Sequence, residues 1–261
     1  MHPSQPATIA FANMAREAKN PTPKVLYNAY EGDLCGRQLS ETVPEFLARC
    51  PPLTTHMANL GPWIYIGNPH TNFRHTNEDR QGFMVRGCEV LQDFDSVKAG
   101  IEASMAGKAK TTITRKLTPL RKRVETDLLA AAQEKGCTSG KWMLFPSPDH
   151  VNSSWSLVAT ATANDELGIA AKVAAYDGDD DPSKARLICV YTENFEDKED
   201  VKRVLERIYA MGLCNRNGAI AEGKAIYYKT DAYTYLDITG GNEWGLRASL
   251  YSSRELLAEG K

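Results

Sequence analysis

Residues 228–238 read YKTDAYTYLDI and gather Tyr228, Tyr233 and Tyr235 with Lys229 and Asp231. Phenol rings beside one ammonium and one carboxylate would make a polar-aromatic wall for a small ligand. The same residue types also suit an amphipathic strand that packs its rings inward. Lys172 stands among Ile169, Ala170, Ala171 and Val173. An ammonium in such surroundings needs a partner, either a ligand anion or a structural carboxylate. Lys108, Lys110, Arg115, Lys116, Arg121, Lys122 and Arg123 form the dense basic run of the chain. It suits a phosphate or nucleic-acid footprint as well as a solvated helix surface. His70, His75, Glu78 and Asp79 lie in one polar stretch, but their spacing fits no established zinc motif, and no metal site is assigned. Trp63 and Trp244 adjoin Pro, Gly or Asn, where an indole can sit at a rim and offer a stacking surface. Trp142 and Trp155 fall at strand and helix periods and are read as core.

The bulk numbers narrow the possibilities. The chain has 261 residues, of which 42% are hydrophobic, enough for a packed core and against disorder of the whole. Its 31 basic and 33 acidic residues leave a net charge of −2, so any attraction to nucleic acid must come from a local patch. No run of about 18 apolar residues occurs, and the first residues lack the apolar core of a signal peptide, so no membrane partner is expected. The six cysteines show no C-x-x-C spacing and read as reduced thiols. The cytoplasm is the expected compartment, with the nucleus open as a second. Neither G-x-G-x-x-G nor G-x-x-x-x-G-K-[ST] stands between a strand and a helix, and no G-x-S-x-G elbow is present. No cofactor and no catalytic residue are assigned.

The elements that must position these residues are legible in outline. Residues 1–57 are punctuated by prolines and read as a partly irregular N-terminal arm, followed by a single domain over 58–255. Residues 62–69 have the composition of a first strand, and 70–81 read as a long loop. A helical period returns from Asp93 to Met105. Thr118-Pro119 reads as the start of the next helix, which Gly136 stops. A strand over 142–145 leads to a helix capped by Asp149, with Val151, Trp155, Val158, Ala159 and Thr162 on one face. Residues 169–176 and 185–192 read as an antiparallel hairpin around the acidic turn 177–182. A helix capped near Asp197 runs to Met211, and a loop spans 214–223. Short strands are expected over 225–229 and 233–238. Strands separated by helices without a phosphate loop predict an α+β fold, an antiparallel or mixed sheet with helices on one face.

The stretches Gly140-Lys141-Trp142-Met143-Leu144-Phe145, Ala171-Lys172-Val173, Ile188-Cys189-Val190-Tyr191-Thr192 and Tyr228-Lys229-Thr230-Asp231-Ala232-Tyr233-Thr234-Tyr235-Leu236 follow in order. Asn242-x-Trp244 and Ser249-Leu250-Tyr251 continue the pattern. In this combination the chain resembles the basophilic-leukaemia-expressed family, over somewhat under half its length. The resemblance implies a fold similar to translation initiation factor 4E: a curved, mainly antiparallel sheet backed by helices on one face, with the ligand on the concave side. The Gly-Lys-Trp strand, Trp155 and Val190-Tyr191-Thr192 are similar to cap-binder elements. Tyr191 keeps an aromatic where cap binders carry tryptophan, and Lys184 and Arg186 would be placed to meet phosphate.

Cap recognition itself needs two aromatic planes, a carboxylate and basic side chains. The helix before Gly140 holds no aromatic, and Ala174 stands where a phosphate-binding arginine belongs. The expectation is therefore a non-enzymatic RNA- or nucleotide-binding protein that is not a true cap binder. Its ligand residues would be Lys172, Lys184, Arg186, Tyr191, Lys229, Asp231, Tyr233 and Trp244, with the basic run extending the contact. Two alternatives stand beside it: an enzyme of small-molecule metabolism using His70, His75 and Asp231, and an interaction scaffold acting through its helical face. The oligomeric state is left open.

Overall fold

The computed structural model describes residues 25–74, 77–179, 181, 184–214 and 225–258. His75, residues 180 and 182 of the acidic turn, most of the loop expected over 214–223 and residues 1–24 of the arm lie outside them. The fold is α+β. Its elements in chain order are α1 (Val43–Arg49), α2 (Met57–Leu60), β1 (Trp63–Gly67), α3 (Arg80–Ser104), α4 (Lys110–Glu134), β2 (Gly140–Leu144) and α5 (Pro148–Ala163). There follow β3 (Ala170–Ala174), β4 (Ile188–Thr192), α6 (Lys198–Ala210), β5 (Tyr227–Thr230), α7 (Asp231–Tyr235), β6 (Tyr251–Ser252) and α8 (Ser253–Ala258).

The six strands form one open sheet in the order β1-β3-β4-β2-β5-β6, every pair antiparallel. Because side chains alternate along a strand, each strand splits its residues between two faces. Ile64, Ile66, Ala171, Val173, Ile188, Val190, Trp142 and Leu144 share the apolar face and are buried. Helix α5 packs on β1 and β3, and α6 packs on β4. The stripe Val151, Trp155, Val158, Ala159 and Thr162 lies inward as its spacing predicts. The Trp142 indole donates to the Val201 carbonyl of α6 at 2.9 Å, which satisfies a polar group in the core. Trp142 and Trp155 are fully buried.

Four local expectations are corrected. Helix α4 starts at Lys110, not at Thr118-Pro119, and carries Pro119 in its interior. The Thr118 hydroxyl donates back to the Thr114 carbonyl instead of capping. Helix α3 starts thirteen residues before Asp93, at Arg80, because the Asp79 carboxylate accepts from the Gly82 N–H and caps it there. Residues 233–238 are not a strand: Thr230 caps α7 by accepting from the Ala232 N–H, and the chain turns helical directly after β5. In α5, Ser147 is the cap residue and Asp149 lies in the first turn.

The part of the arm that is described is anchored to the domain. Thr42 and Glu45 form a reciprocal capping box on α1, whose Phe46 is buried in the core and meets Trp155 edge-on. Upstream, residues 35–37 run along the free edge of β1, with Arg37 N–H donating to the Tyr65 carbonyl and Tyr65 N–H to the Cys35 carbonyl. Arg49 clamps this segment through the Leu34 and Gly36 carbonyls and the Glu41 carboxylate. A Cβ on Gly36 would lie 2.5 Å from the Tyr30 Cβ, so only glycine lets the turn close this tightly.

Candidate functional site

The face opposite α5 and α6 is polar and aromatic. Trp63, Tyr65 and Gly67 of β1 adjoin Ala174, Lys172 and Ala170 of β3. Beyond them stand Cys189 and Tyr191 of β4, Met143 and Lys141 of β2, and Lys229 of β5. Three lysines thus share one sheet face, with Lys141 directly across from both Tyr191 and Lys229.

One of the three is closed off by a carboxylate. The Lys141 ammonium is paired with Asp231 Oδ1, and it also donates to Thr234 Oγ1 at 2.9 Å. Asp231 Oδ2 accepts from the Ser139 hydroxyl at 2.6 Å. Helix α7 makes this possible, because its first residue is Asp231 and its turn brings Thr234 over the same lysine. The pair is buried, with side chains 7% and 10% exposed.

Among the described residues neither Lys172 nor Lys229 has a carboxylate in ion-pair contact or a hydrogen-bond acceptor, although Asp237 and Asp231 act on Lys229, and Asp231 on Lys172, from farther away. The Lys172 ammonium lies 4.0 Å from the Trp63 ring centroid and 5.7 Å from that of Tyr191, held by cation–π attraction. Burial pulls its pKa below the usual lysine range, and the nearby Lys141 charge adds to this. Lys229 is shifted the same way by burial and then by Lys141. Tyr30 of the arm stacks on Tyr65 with centroids 4.8 Å apart and planes 20° apart, roofing the β1 side. Burial pushes the Tyr30 phenol up to about 12 and the Cys189 thiol up to about 11, and it raises Tyr65 and Tyr191 as well. These groups stay neutral at physiological pH.

The sequence-predicted residues divide. Lys172, Tyr191, Lys229 and Asp231 are brought together. Tyr233 is not: it is buried in the core on α7. Trp244 is packed on the α3–α4 hairpin, where its indole donates to Asp95 and its carbonyl accepts from Arg121. Lys184 is tied to Asp177 and Asp179 in the hairpin turn. Arg186 is buried at the same end of the hairpin, donating to the Ala175 carbonyl and lying over the Tyr176 ring. The basic run lies on α4 and just before it, exposed except for Arg121, and Arg123 pairs with Asp127. His70 follows β1 and Asp231 follows β5, four strand spacings or about 19 Å apart, so they share no acid–base site. Among the described residues no group of three His, Cys, Asp or Glu is arranged to hold a metal ion, and no helix is long and apolar enough to cross a membrane.

Sequence reasoning missed Lys141, Ser139 and Thr234. A signal for Lys141 is nevertheless present: if Trp142 faces the core, its neighbour must face the opposite side, as the same alternation requires for Lys172.

The sequence profile of the family described as Basophilic leukemia-expressed protein Bles03 matches residues 1–237. The chain belongs to this family. The Bles03 match extends the resemblance seen over 140–251 back through the arm and the α3–α4 hairpin. Lys141, Lys172, Lys229, Asp231, Trp63, Tyr65 and Tyr30 all fall inside it, whereas Trp244 and β6 lie beyond its end.

Proposed function

We propose that this protein binds a phosphate-bearing ligand, a nucleotide or an RNA, on the lysine face of its sheet. The observation that carries the reading is the pair of ammoniums without a carboxylate in contact, Lys172 half-buried and Lys229 buried, on either side of Tyr191. A buried charge without a counter-ion is costly, and a bound oxyanion relieves that cost at both positions. Half-buried Trp63 and Tyr191 supply aromatic surface beside the anion position. The initiation factor 4E-like fold that the family resemblance implies, which receives its ligand on the sheet, would put a ligand on the same face. The mRNA cap is not the ligand proposed, because α4 holds no aromatic ahead of Gly140 and Ala174 replaces the phosphate-binding arginine. The exposed lysines and arginines of α4 would prolong contact with a longer RNA.

Fluorescence anisotropy with labelled nucleotides and short single-stranded RNAs tests the reading. Binding should weaken steeply with salt, and the double substitution Lys172→Glu with Lys229→Glu should abolish it. Affinity that survives that double charge reversal would remove the lysine face from consideration.

A further inference from the structure

We propose that Lys172 is a nucleophilic amine, and that the ligand of this face carries an aldehyde or ketone with which Lys172 condenses to a Schiff base. Phosphate pairs with the ammonium form of a lysine, whereas a carbonyl condenses with the free amine, so this chemistry goes beyond phosphate binding and does not rest on it. The surroundings of Lys172 favour the free amine. Its nitrogen lies 4.0 Å from the Trp63 ring centroid and 5.7 Å from that of Tyr191, with no hydrogen-bond acceptor and no carboxylate in contact among the described residues. Across the ladder its partners are Tyr65 and Cys189, and neither carries a charge at physiological pH. Half out of water and without an acceptor, an ammonium loses much of what favours its proton. Lys141 brings a second positive charge to the same face. A desolvated lysine beside another cation is the setting in which lysines act as nucleophiles.

The other groups around Lys172 do not reverse this. Tyr30 of the arm and Tyr191 keep their protons, and Asp231 on α7 is bonded to Lys141 and Ser139. Burial lowers the Lys172 pKa and Lys141 adds to it, while Cys189 and Asp231 pull the other way without overcoming it. The neighbouring lysines are less suited. Lys141 is bonded to Asp231 and Thr234, and Lys229 is the more deeply buried, with Asp237 and Asp231 acting on it. Lys172 is half-exposed, so a ligand can reach its nitrogen. The condensation needs no co-reactant. The amine lone pair attacks the carbonyl carbon, the π pair of the C=O bond moves to oxygen, and one N–H proton follows it to give a carbinolamine. Nitrogen then forms the C=N bond as the hydroxyl departs, and the second N–H proton leaves with it as water.

The test incubates the full chain with glyceraldehyde or glyceraldehyde 3-phosphate, traps imines with cyanoborohydride, and follows each lysine by mass-spectrometric peptide mapping. At about pH 7, Lys172 should be labelled at least about tenfold faster than the exposed Lys116 and Lys122, since each unit of lowered pKa raises the free amine about tenfold. Its rate should rise with pH and level off before theirs, a profile that a purely structural lysine would not show. Lys172→Arg, which has no amine to condense, should lose the fast labelling. Labelling of Lys172 no faster than that of Lys116, or fast labelling at Lys229 in its place, overturns the proposal. The two aldehydes separate it from phosphate binding. Fast labelling of Lys172 at equal rates by both keeps the Schiff base and counts against a phosphate site there. Slow labelling by both, with RNA still bound in the anisotropy assay, removes the Schiff base and leaves phosphate binding standing.

Discussion

Lys172 gives the site a pH signature of its own. Its ammonium is held below the ordinary lysine range by burial, and an anion beside it would restore the charged form. Binding therefore takes up a proton wherever the free side chain is partly neutral. Phosphate affinity should be flat from about pH 7, above the second ionisation of the phosphate itself, and fall as pH rises through the depressed pKa, earlier than a surface lysine near 10.4 would allow. Lys172→Arg, whose guanidinium does not titrate, should shallow the decline in titrations between about pH 7 and 10, leaving the share that Lys229 contributes. A wild-type curve as flat as that of the arginine variant would refute the linkage. The Lys141–Asp231 pair makes a separate prediction about stability. Asp231→Ala leaves an ammonium buried without its carboxylate and should cost about 3–5 kcal/mol in urea unfolding. A loss below about 1 kcal/mol would instead place the pair with solvated surface bridges.

At the level of elements, α4 is the unexpected one. Pro119 removes the bond its N–H would have made to the Arg115 carbonyl and crowds the preceding turn, yet the helix runs through it from Lys110 to Glu134. Pro119→Ala should stabilise the protein by about 1–3 kcal/mol, visible as a higher Tm; no gain would mean that the turn before it frays in solution. Thr-Pro reads as a start signal because capping is a short-range property, whereas packing of the α3–α4 hairpin along its whole length is not visible in a single segment. The same difference explains residues 228–238. Their tyrosine spacing is compatible with a strand, but the Thr230 cap and the Asp231 contacts to Ser139 and Lys141 depend on β2 lying alongside, about ninety positions earlier in the chain. By contrast α5, α6 and the β3–β4 hairpin are readable, since their apolar periods and caps lie within the segments themselves. Half of the expected ligand residues fall on one sheet face for the same reason: Lys172 and Lys229 stand out against their own strands, while the placement of Tyr233 and Trp244 away from that face is a tertiary fact.

Over the whole molecule, two basic surfaces have different duties. The lysine face holds Lys172 and Lys229, partly or wholly buried and without a carboxylate in contact, whereas the positive charge of α4 is exposed apart from half-buried Arg121, which serves Trp244, and Arg123 pairs with Asp127. Reversing the exposed Lys116 and Lys122 should leave mononucleotide affinity unchanged. For a longer RNA it should lower the slope of log affinity against log salt by roughly 1 for each phosphate that no longer meets a lysine. An unchanged slope would mean that RNA does not reach α4. The arm ties these surfaces to the sheet, and Gly36→Ala, by forcing Tyr30 off Tyr65, should speed protease cleavage within residues 25–41. The hydrogen bonds between residues 35–37 and Tyr65 have a further consequence. They cover the outer rim of β1, while the opposite rim ends in the two-residue β6. A chain shortened to begin at residue 58 would bare the N–H and C=O groups of β1 as a template for another copy, and should self-associate edge to edge and precipitate as its concentration rises.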